Sequence, residues 1–201
     1  PGIDFASYRW GNTVDPITPG LTDREYAARE LIPYGTPPSA NLMNDVDLPF
    51  QSGRVDPASI APMARLFGVG EIVLRADLQY ERYRTPRPRT TYSELLAAPG
   101  LAAPIGFGEP VPNEAGDALP LDDEMSFAIP STVPDPAPVN LFGVEDPRPV
   151  LRTTSASAPT VVSGDGAGLV ALAGIGRLGA DRPVFYSASF ADDTDELRSV
   201  V

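Results

Sequence analysis

The stretch DPASIAPMARLFGVGEIVLR, residues 56–75, predicts a helix, a tight turn and a buried strand in direct succession. The segment EIVLR (71–75) is a β-branched run typical of a strand, and Gly68 is placed to end the preceding helix. We expect Ser59 to be the N-cap, so that Pro62 falls in the first turn, where its missing N–H leaves no bond unmade. Four apolar residues recur at helical spacing in this stretch: Ile60, Met63, Ala64 and Phe67.

The last third of the chain has the alternation of a βαβα unit. PTVVSG (159–164) and RPVFYSASF (182–190) are strand-like, and AGLVALAGIGRLG (167–179) between them has helical apolar spacing. DDTDELRSVV (192–201) is expected to form a closing helix. The glycine-rich SGDGAG lacks the third glycine of a nucleotide loop, so we interpret Asp165 as a helix N-cap.

These elements predict an α/β fold. We expect one compact body with a mixed sheet, in which EIVLR, PTVVS and PVFYSA are neighbouring buried strands flanked by short helices. The two strands of the C-terminal unit should be parallel, because a helix connects them.

Charge and proline divide the chain into residues 1–98, 99–138 and 139–201. The middle part contains seven acidic residues, no arginine and nine of the 24 prolines, and so contributes −7 to a net charge of −12. Few of these prolines fit inside a helix or a central strand. We expect this part to be a long proline-rich connection that wraps around the body, with a loop-rich N-terminal part and the βαβα part on either side.

The amino acids that are missing exclude several kinds of chemistry. The chain has no Cys and no His, so thiol and imidazole catalysis and the usual transition-metal sites are excluded. The net charge of −12 argues against a nucleic-acid partner. Two D-x-D triplets, at 45–47 and 193–195, resemble metal-binding motifs, but such triplets often occur by chance in acidic chains. We therefore expect no metal site, and we also expect no cofactor and no catalytic residue in this chain.

A basic segment, IVLRADLQYERYRTPRPR (72–89), stands out in this acidic chain. One interpretation is structural: DLQYERY is a short helix capped by Asp77, and the arginines pair with acids of the same chain, Arg82 and Arg84 first. The other interpretation is a contact with a lipid phosphate or an anionic head group, which guanidinium groups suit. The four arginines concerned are Arg82, Arg84, Arg87 and Arg89.

Three segments resemble the extracytoplasmic region of the actinobacterial arabinofuranosyltransferase D family. They are IDFASYRWGNTVDPITPGLTDREYAARELIPYGTP, ARLFGVGEIVLRADLQYERYRTPRP and SAPTVVSGDGAGLVALAGIGRLGADRPVFYSASF. Together they cover most of residues 1–98 and 139–201, and the middle part matches only loosely. The family consists of large multi-spanning enzymes of cell-wall arabinan assembly. Since the chain begins with Pro1 rather than Met, we expect it to be a segment of such a protein.

The resemblance implies a transferase that uses decaprenyl-phosphate arabinofuranose as donor and arabinan as acceptor. It places this segment on the extracytoplasmic face, docked on the membrane-spanning part of the same protein, with no catalytic residue carried over. The alternative is a stand-alone carbohydrate-binding or carboxylate-dependent glycoside-hydrolysing module. In either case four aromatic side chains are candidates to contact sugar: Tyr8, Trp10, Tyr80 and Tyr83.

Overall fold

A computed structural model describes residues 6–14, 18–28, 36–114, 133–155, 157–179 and 181–190, together with Asp195 and Arg198. The strands are β1 (Ala6–Tyr8), β2 (Gly11–Thr13), β3 (Glu71–Arg75), β4 (Ile105–Phe107), β5 (Val139–Gly143), β6 (Thr160–Val162) and β7 (Val184–Tyr186). The helices are α1 (Thr18–Leu21), α2 (Pro37–Gln51), α3 (Pro57–Phe67), α4 (Tyr80–Tyr83), α5 (Pro88–Leu96) and α6 (Gly166–Gly174), and a 3₁₀ turn follows at Ser187–Phe190. No helix in these ranges combines the length and the apolar character that crossing a bilayer requires.

The strands of the described residues form three small sheets rather than one. The order β3-β5-β4 is antiparallel throughout, β6 and β7 form a parallel pair, and β1 and β2 form a hairpin. The α/β class and the parallel β6–α6–β7 unit are therefore confirmed. The expectation that EIVLR shares a sheet with PTVVS and PVFYSA is wrong, because all five residues of β3 pair with β5. The closing helix expected at 192–201 lies almost wholly outside the described residues.

The helix–turn–strand unit forms as expected, but its helix begins earlier. Asp56 is the N-cap, with its Oδ1 accepting the N–H of Ala58 at 3.0 Å, and Pro57 occupies the first helical position. The Ser59 cap is thus wrong, because the pair Asp56–Pro57 supplies both the side-chain acceptor and the fixed φ that a helix start favours. Pro62 consequently lies inside the helix, and Gly68 ends it in the left-handed conformation with φ 71°.

Helix α3 contributes to two hydrophobic clusters and so connects the sheets. Ile60 packs with Phe142 of β5 and Leu95 of α5 beneath the β3-β5-β4 sheet. Met63, three residues later, packs with Leu169 of α6 and with the β6–β7 pair. Residues three apart lie close together on a helix, so one short part of α3 contributes a side chain to each cluster.

The proline-rich part contributes a strand to the fold. Residues 105–107 form β4, which pairs with β5 from Ile105 opposite Leu141 to Phe107 opposite Val139. The strand lies at the edge of its sheet, where proline-rich flanks are tolerated. Residues 115–132 lie outside the described residues, so the wrapping path and the boundaries at 98 and 138 stay predictions.

The turn between α3 and β3 gives a test of this packing. A Cβ at Gly68 would lie 2.8 Å from the Cα of Val150, whereas a Cβ at Gly176, which has a similar φ of 68°, would meet nothing within 4 Å. We expect Gly176→Ala to cost about 1 kcal/mol of unfolding free energy through its left-handed backbone alone. Gly68→Ala should cost about 2 kcal/mol more, because backbone must move. Urea denaturation of both variants measures the difference, and equal losses would contradict the close approach of Val150.

Candidate functional site

The β1–β2 hairpin lies against the turn that follows β3. The N–H of Arg9 donates to the carbonyl of Asp77 at 2.8 Å, and the N–H of Gln79 donates to the carbonyl of Ser7 at 2.9 Å. These backbone bonds extend pairing beyond the hairpin and bring residues 7–10 beside the basic segment, which is about seventy positions away in sequence. The hairpin turn itself needs Gly11, whose φ of 150° is rare for other residues.

An aromatic stack, formed by Tyr8 and Trp10, is the main feature of this region. The two rings are nearly parallel, with centroids 4.9 Å apart and 5° between their planes. The guanidinium carbon of Arg75 also lies close to this stack, 4.5 Å from the Tyr8 centroid. Tyr8 is buried, and this burial raises the pKa of its hydroxyl, whereas Arg75 opposes the shift. Trp10 is 61% exposed.

Asp77 holds the aromatic stack in place. Its Oδ2 accepts the indole N–H of Trp10 at 2.7 Å and a guanidinium N–H of Arg75 at 2.8 Å, and its Oδ1 accepts the Nε–H of Arg75 at 3.0 Å. The carboxylate is buried, so its charge depends on these donors. Asp77 therefore orients the stack and does not cap α4 as expected, since the N-cap of α4 is Gln79.

A second carboxylate, Glu81, fixes the turn of the hairpin. Arg9 binds it through two parallel bonds, Nη1 to Oε1 at 2.7 Å and Nη2 to Oε2 at 2.8 Å, and the Glu81 side chain is only 4% exposed. Arg9 also donates from Nε to Oδ1 of Asn113. The Asn113 amide in turn donates to the carbonyls of Ala76 and Leu78 at 2.6 and 2.8 Å. The hairpin, the turn after β3 and residue 113 are thus joined in one network.

The four candidate arginines of the basic segment, which also contains Arg75, divide into two exposed and two half-buried residues. Arg82 and Arg84 are exposed, and Arg82 donates to the side-chain oxygen of Gln79, which is neutral. Arg84 is the C-cap of α4 with φ 52°. The expected order was wrong: within the described part of the chain Arg75 pairs with Asp77 and Glu81 pairs with Arg9, whereas Arg82 bonds to Gln79.

Arg87 and Arg89 lie closer to the body. Arg87 donates to the hydroxyl of Tyr80 at 2.9 Å, and its guanidinium lies 5.9 Å from that ring centroid. Both arginines line a shallow depression of about 120 Å³ that also contains Glu114 and Asp135. Carboxylates at the same depression repel an anion, so this geometry favours the structural interpretation over a phosphate contact.

Of the four aromatic candidates, Trp10 offers the greatest exposed surface. Tyr80 is only 2% exposed and Tyr8 only 7% exposed. Tyr83 is half-buried, and its hydroxyl oxygen accepts the N–H of Ser7 at 2.6 Å. The structure thus brings all four rings into one region, and Trp10 is the most exposed of them.

Other acidic residues do not assemble into a second site. Burial raises the pKa of Glu94 on α5 to about 7, and its Oε2 is buried without a hydrogen-bond partner. Asp165 caps α6 by accepting the N–H of Gly168 at 3.1 Å, as expected. Asp47 of the first D-x-D triplet accepts a bond from Gln51, and the second triplet is described only at Asp195. Among the described residues, no group of three or more acids is placed to hold a metal ion.

Burial also raises the pKa of the Tyr186 hydroxyl on β7, and the nearby charges of Asp45 and Asp165 raise it further. This tyrosine therefore stays protonated around neutral pH. It packs in the cluster of Met63 and Leu169, far in the fold from the aromatic stack.

Comparison with solved structures defines the fold. The chain is similar to cryo-EM structures of arabinofuranosyltransferase AftD from Mycobacteria, with a TM-score of 0.72 to a mutant form and 0.68 to a second structure of the protein. Both are 22% identical in sequence, and the match covers 96% of this chain and 15% of the solved chain. At this identity the likeness shows a shared fold.

Sequence comparison defines the family. The model of the alpha-(1->3)-arabinofuranosyltransferase N-terminal GT-C domain matches residues 1–201, and the chain belongs to this family. It is 33% identical over 111 residues to the alpha-(1->3)-arabinofuranosyltransferase of Mycolicibacterium smegmatis and 32% identical over 111 residues to that of Mycobacterium tuberculosis. Each alignment covers 55% of this chain and 8% of the relative, so the chain spans a small part of the relatives that it matches.

The Arg9–Glu81 pair should be important for stability. Arg9→Gln removes two short bonds to a buried carboxylate, so we expect a loss of about 2–4 kcal/mol of unfolding free energy. Arg24→Gln is the matched control, because the Arg24–Glu71 pair is exposed on both sides and should contribute less than about 1 kcal/mol. Chemical denaturation at neutral pH compares the two variants. A loss at Arg9 no larger than that at Arg24 would contradict the structural role of the pair.

Proposed function

We propose that this chain is a non-spanning, extracytoplasmic part of a polytopic arabinofuranosyltransferase of cell-wall arabinan synthesis. In this proposal it docks on the membrane-spanning part of the same polypeptide and helps to form the acceptor path, and the transfer reaction takes place elsewhere in the enzyme. The donor would be a polyprenyl-phosphate-linked arabinofuranose and the acceptor a growing arabinan. The observation that carries the proposal is an apolar sheet face open to solvent.

The register of the β3-β5-β4 sheet determines which side chains lie on its outer face. Side chains alternate between the two faces of a strand, and Ile72 and Phe142 pack inward in the core. On the opposite, outer face, one row across the three strands consists of Val73, Leu141 and Ile105. The next row is Arg75, Val139 and Phe107.

Three of these apolar side chains are well exposed. Val73, Ile105 and Phe107 each have more than half of their surface open to solvent, and they lie on one sheet face with Leu141 of β5 between Val73 and Ile105. Contiguous exposed apolar surface of this kind is typical of an interaction site. The edge strand β4 adds backbone groups at the rim of the face.

The rest of the same polypeptide is the occupant that fits this face. The relatives in the family are much longer than this chain, which covers 8% of the curated relatives and 15% of the solved chain. A second copy of the chain is disfavoured, because its net charge of −12 would oppose self-association. Docking within one polypeptide has no such concentration requirement.

The carboxylates of the site support a role apart from transfer. Asp77 and Glu81 are each held by an arginine through two bonds, which fixes the orientation of both carboxyl groups. A glycoside hydrolase requires two carboxyl groups about 5–10 Å apart, one of them able to give up a proton. Carboxylates committed to guanidinium groups do not suit that task, and this favours the accessory role over the hydrolytic alternative.

A charge on the outer sheet face should impair the whole enzyme. We expect Ile105→Glu in the full-length membrane protein to lower arabinofuranose transfer at least about tenfold, because a buried unpaired carboxylate would oppose docking. Leu48→Glu on α2 is the matched control, since Leu48 is 63% exposed and Ile105 is 59% exposed. Transfer from decaprenyl-phosphate arabinofuranose to an arabinan oligosaccharide is measured in detergent or proteoliposomes, and the melting temperature of each isolated variant chain is recorded.

Three results would contradict the proposal. Full transfer by Ile105→Glu would show that the outer sheet face is not docked, and an equal loss in Leu48→Glu would show that the effect is not specific to it. Transfer or hydrolysis by the purified chain alone, abolished by removing one carboxylate, would establish a catalytic module instead.

A further inference from the structure

We infer that the exposed indole of Trp10 is a binding platform for an arabinofuranosyl ring of a neutral glycan. The platform follows from the geometry around Asp77, whereas the choice of arabinofuranose rests on the proposed function. Arg75 lies at the edge of both surfaces, but the binding experiment uses the chain alone, so the two proposals can fail independently.

The indole is held rigidly although it is exposed. One face stacks on Tyr8, the Nε1–H donates to the buried carboxylate of Asp77, and Arg75 contacts both Asp77 and the Tyr8 ring. A tryptophan in this setting needs little reorganisation to receive a ligand, and such preorganisation reduces the entropic cost of binding. With 61% of its surface open, Trp10 contributes little to the core and keeps a large apolar area in water.

The surroundings of Trp10 suit a molecule with an apolar face and a polar rim. The groups that the structure places beside Trp10 are polar: Asp77 accepts its indole N–H, and Arg9, the preceding residue, is exposed and bonds to Asn113. Gly11, opposite Tyr8 in the hairpin, leaves open space where a Cβ would stand. A sugar ring matches this arrangement, with its C–H face on the indole and its hydroxyl groups toward polar side chains.

Charge narrows the ligand further. The chain carries a net charge of −12, which disfavours an anionic polymer, and a neutral glycan has no such penalty. A protein partner would bury Trp10 equally well as an interface anchor, but such anchors are surrounded by groups that exclude water. The polar neighbours therefore favour a glycan, and a protein partner is an outcome that the experiment can reveal.

Trp10 is the single tryptophan of the chain, so its fluorescence reports directly on the platform. The chain is titrated with an α-linked arabinofuranosyl hexasaccharide and, as a control, with a xylopyranosyl hexasaccharide. We expect a saturable change in emission with the arabinofuranosyl ligand, and at least about tenfold weaker binding of the xylopyranosyl ligand. Binding to variants is measured by calorimetry, because Trp10→Ala removes the fluorophore.

Trp10→Ala should weaken binding of the arabinofuranosyl ligand at least about tenfold, the loss expected when a stacking contact of about 1.4 kcal/mol or more is removed. Tyr26→Ala, at another exposed aromatic residue, should bind as the unaltered chain does. Circular dichroism must show that both variants are folded.

The absence of any emission change up to millimolar ligand would overturn the inference without a variant. Retained binding in Trp10→Ala would place the sugar elsewhere, and equal binding of the two hexasaccharides would overturn the assignment to arabinofuranose. Trp10 emission that changes only on association with the rest of the enzyme would identify a protein contact. Since the sugar titrations use the chain alone, their results do not depend on docking through the outer sheet face.

Discussion

The carboxylate of Asp77 is the constraint on which the arrangement of the site depends. It is buried at the end of β3, where an ionised group requires charge-assisted partners to be tolerated. Arg75 supplies two donors and Trp10 supplies the third. The Asp77 carbonyl accepts the N–H of Arg9 as well, so side chain and backbone of one residue both hold the hairpin. The position of the aromatic stack relative to the sheet follows from these bonds.

This network explains why a basic segment occurs in an acidic chain. Arg75 neutralises Asp77, Arg87 supports Tyr80, and Arg9 from the hairpin neutralises Glu81. Guanidinium groups can bind a carboxylate at two points and lie over an aromatic ring at the same time, a combination that lysine cannot supply. Arginine therefore suits the interior of this site. The exposed Arg82 and Arg84 remain available at the surface beside it.

Local patterns predicted the parts of the fold that depend on local contacts. The α3–β3 unit and the β6–α6–β7 unit each have their own apolar periodicity, and Gly68 and Asp165 mark helix ends through their own chemistry. The pairing of β3 with β5 was not predicted, because more than sixty residues separate the strands and Asn140 interrupts the apolar pattern of β5. The cap at Asp56 was missed because Ser59 offered an equally good pattern three residues later.

The site was predictable only as a set of residue types. Tyr8 and Trp10 were named from sequence, but nothing local distinguishes the exposed Trp10 from the buried Tyr80. The roles of Asp77, Glu81 and Asn113 arise from contacts across long sequence separations, which a single sequence does not show. The one local signal of the site is the sequence Arg9-Trp10-Gly11 at the hairpin turn.

The central claim, that Asp77 positions the aromatic stack, is tested most directly by the fluorescence anisotropy of Trp10 in an Asp77→Asn variant. Asparagine keeps the shape of the side chain but removes the charge that pairs with Arg75. The account expects the anisotropy of Trp10 to fall and its emission to shift to longer wavelength, while the far-ultraviolet circular dichroism stays the same. Anisotropy and emission identical to those of the unaltered chain would contradict it.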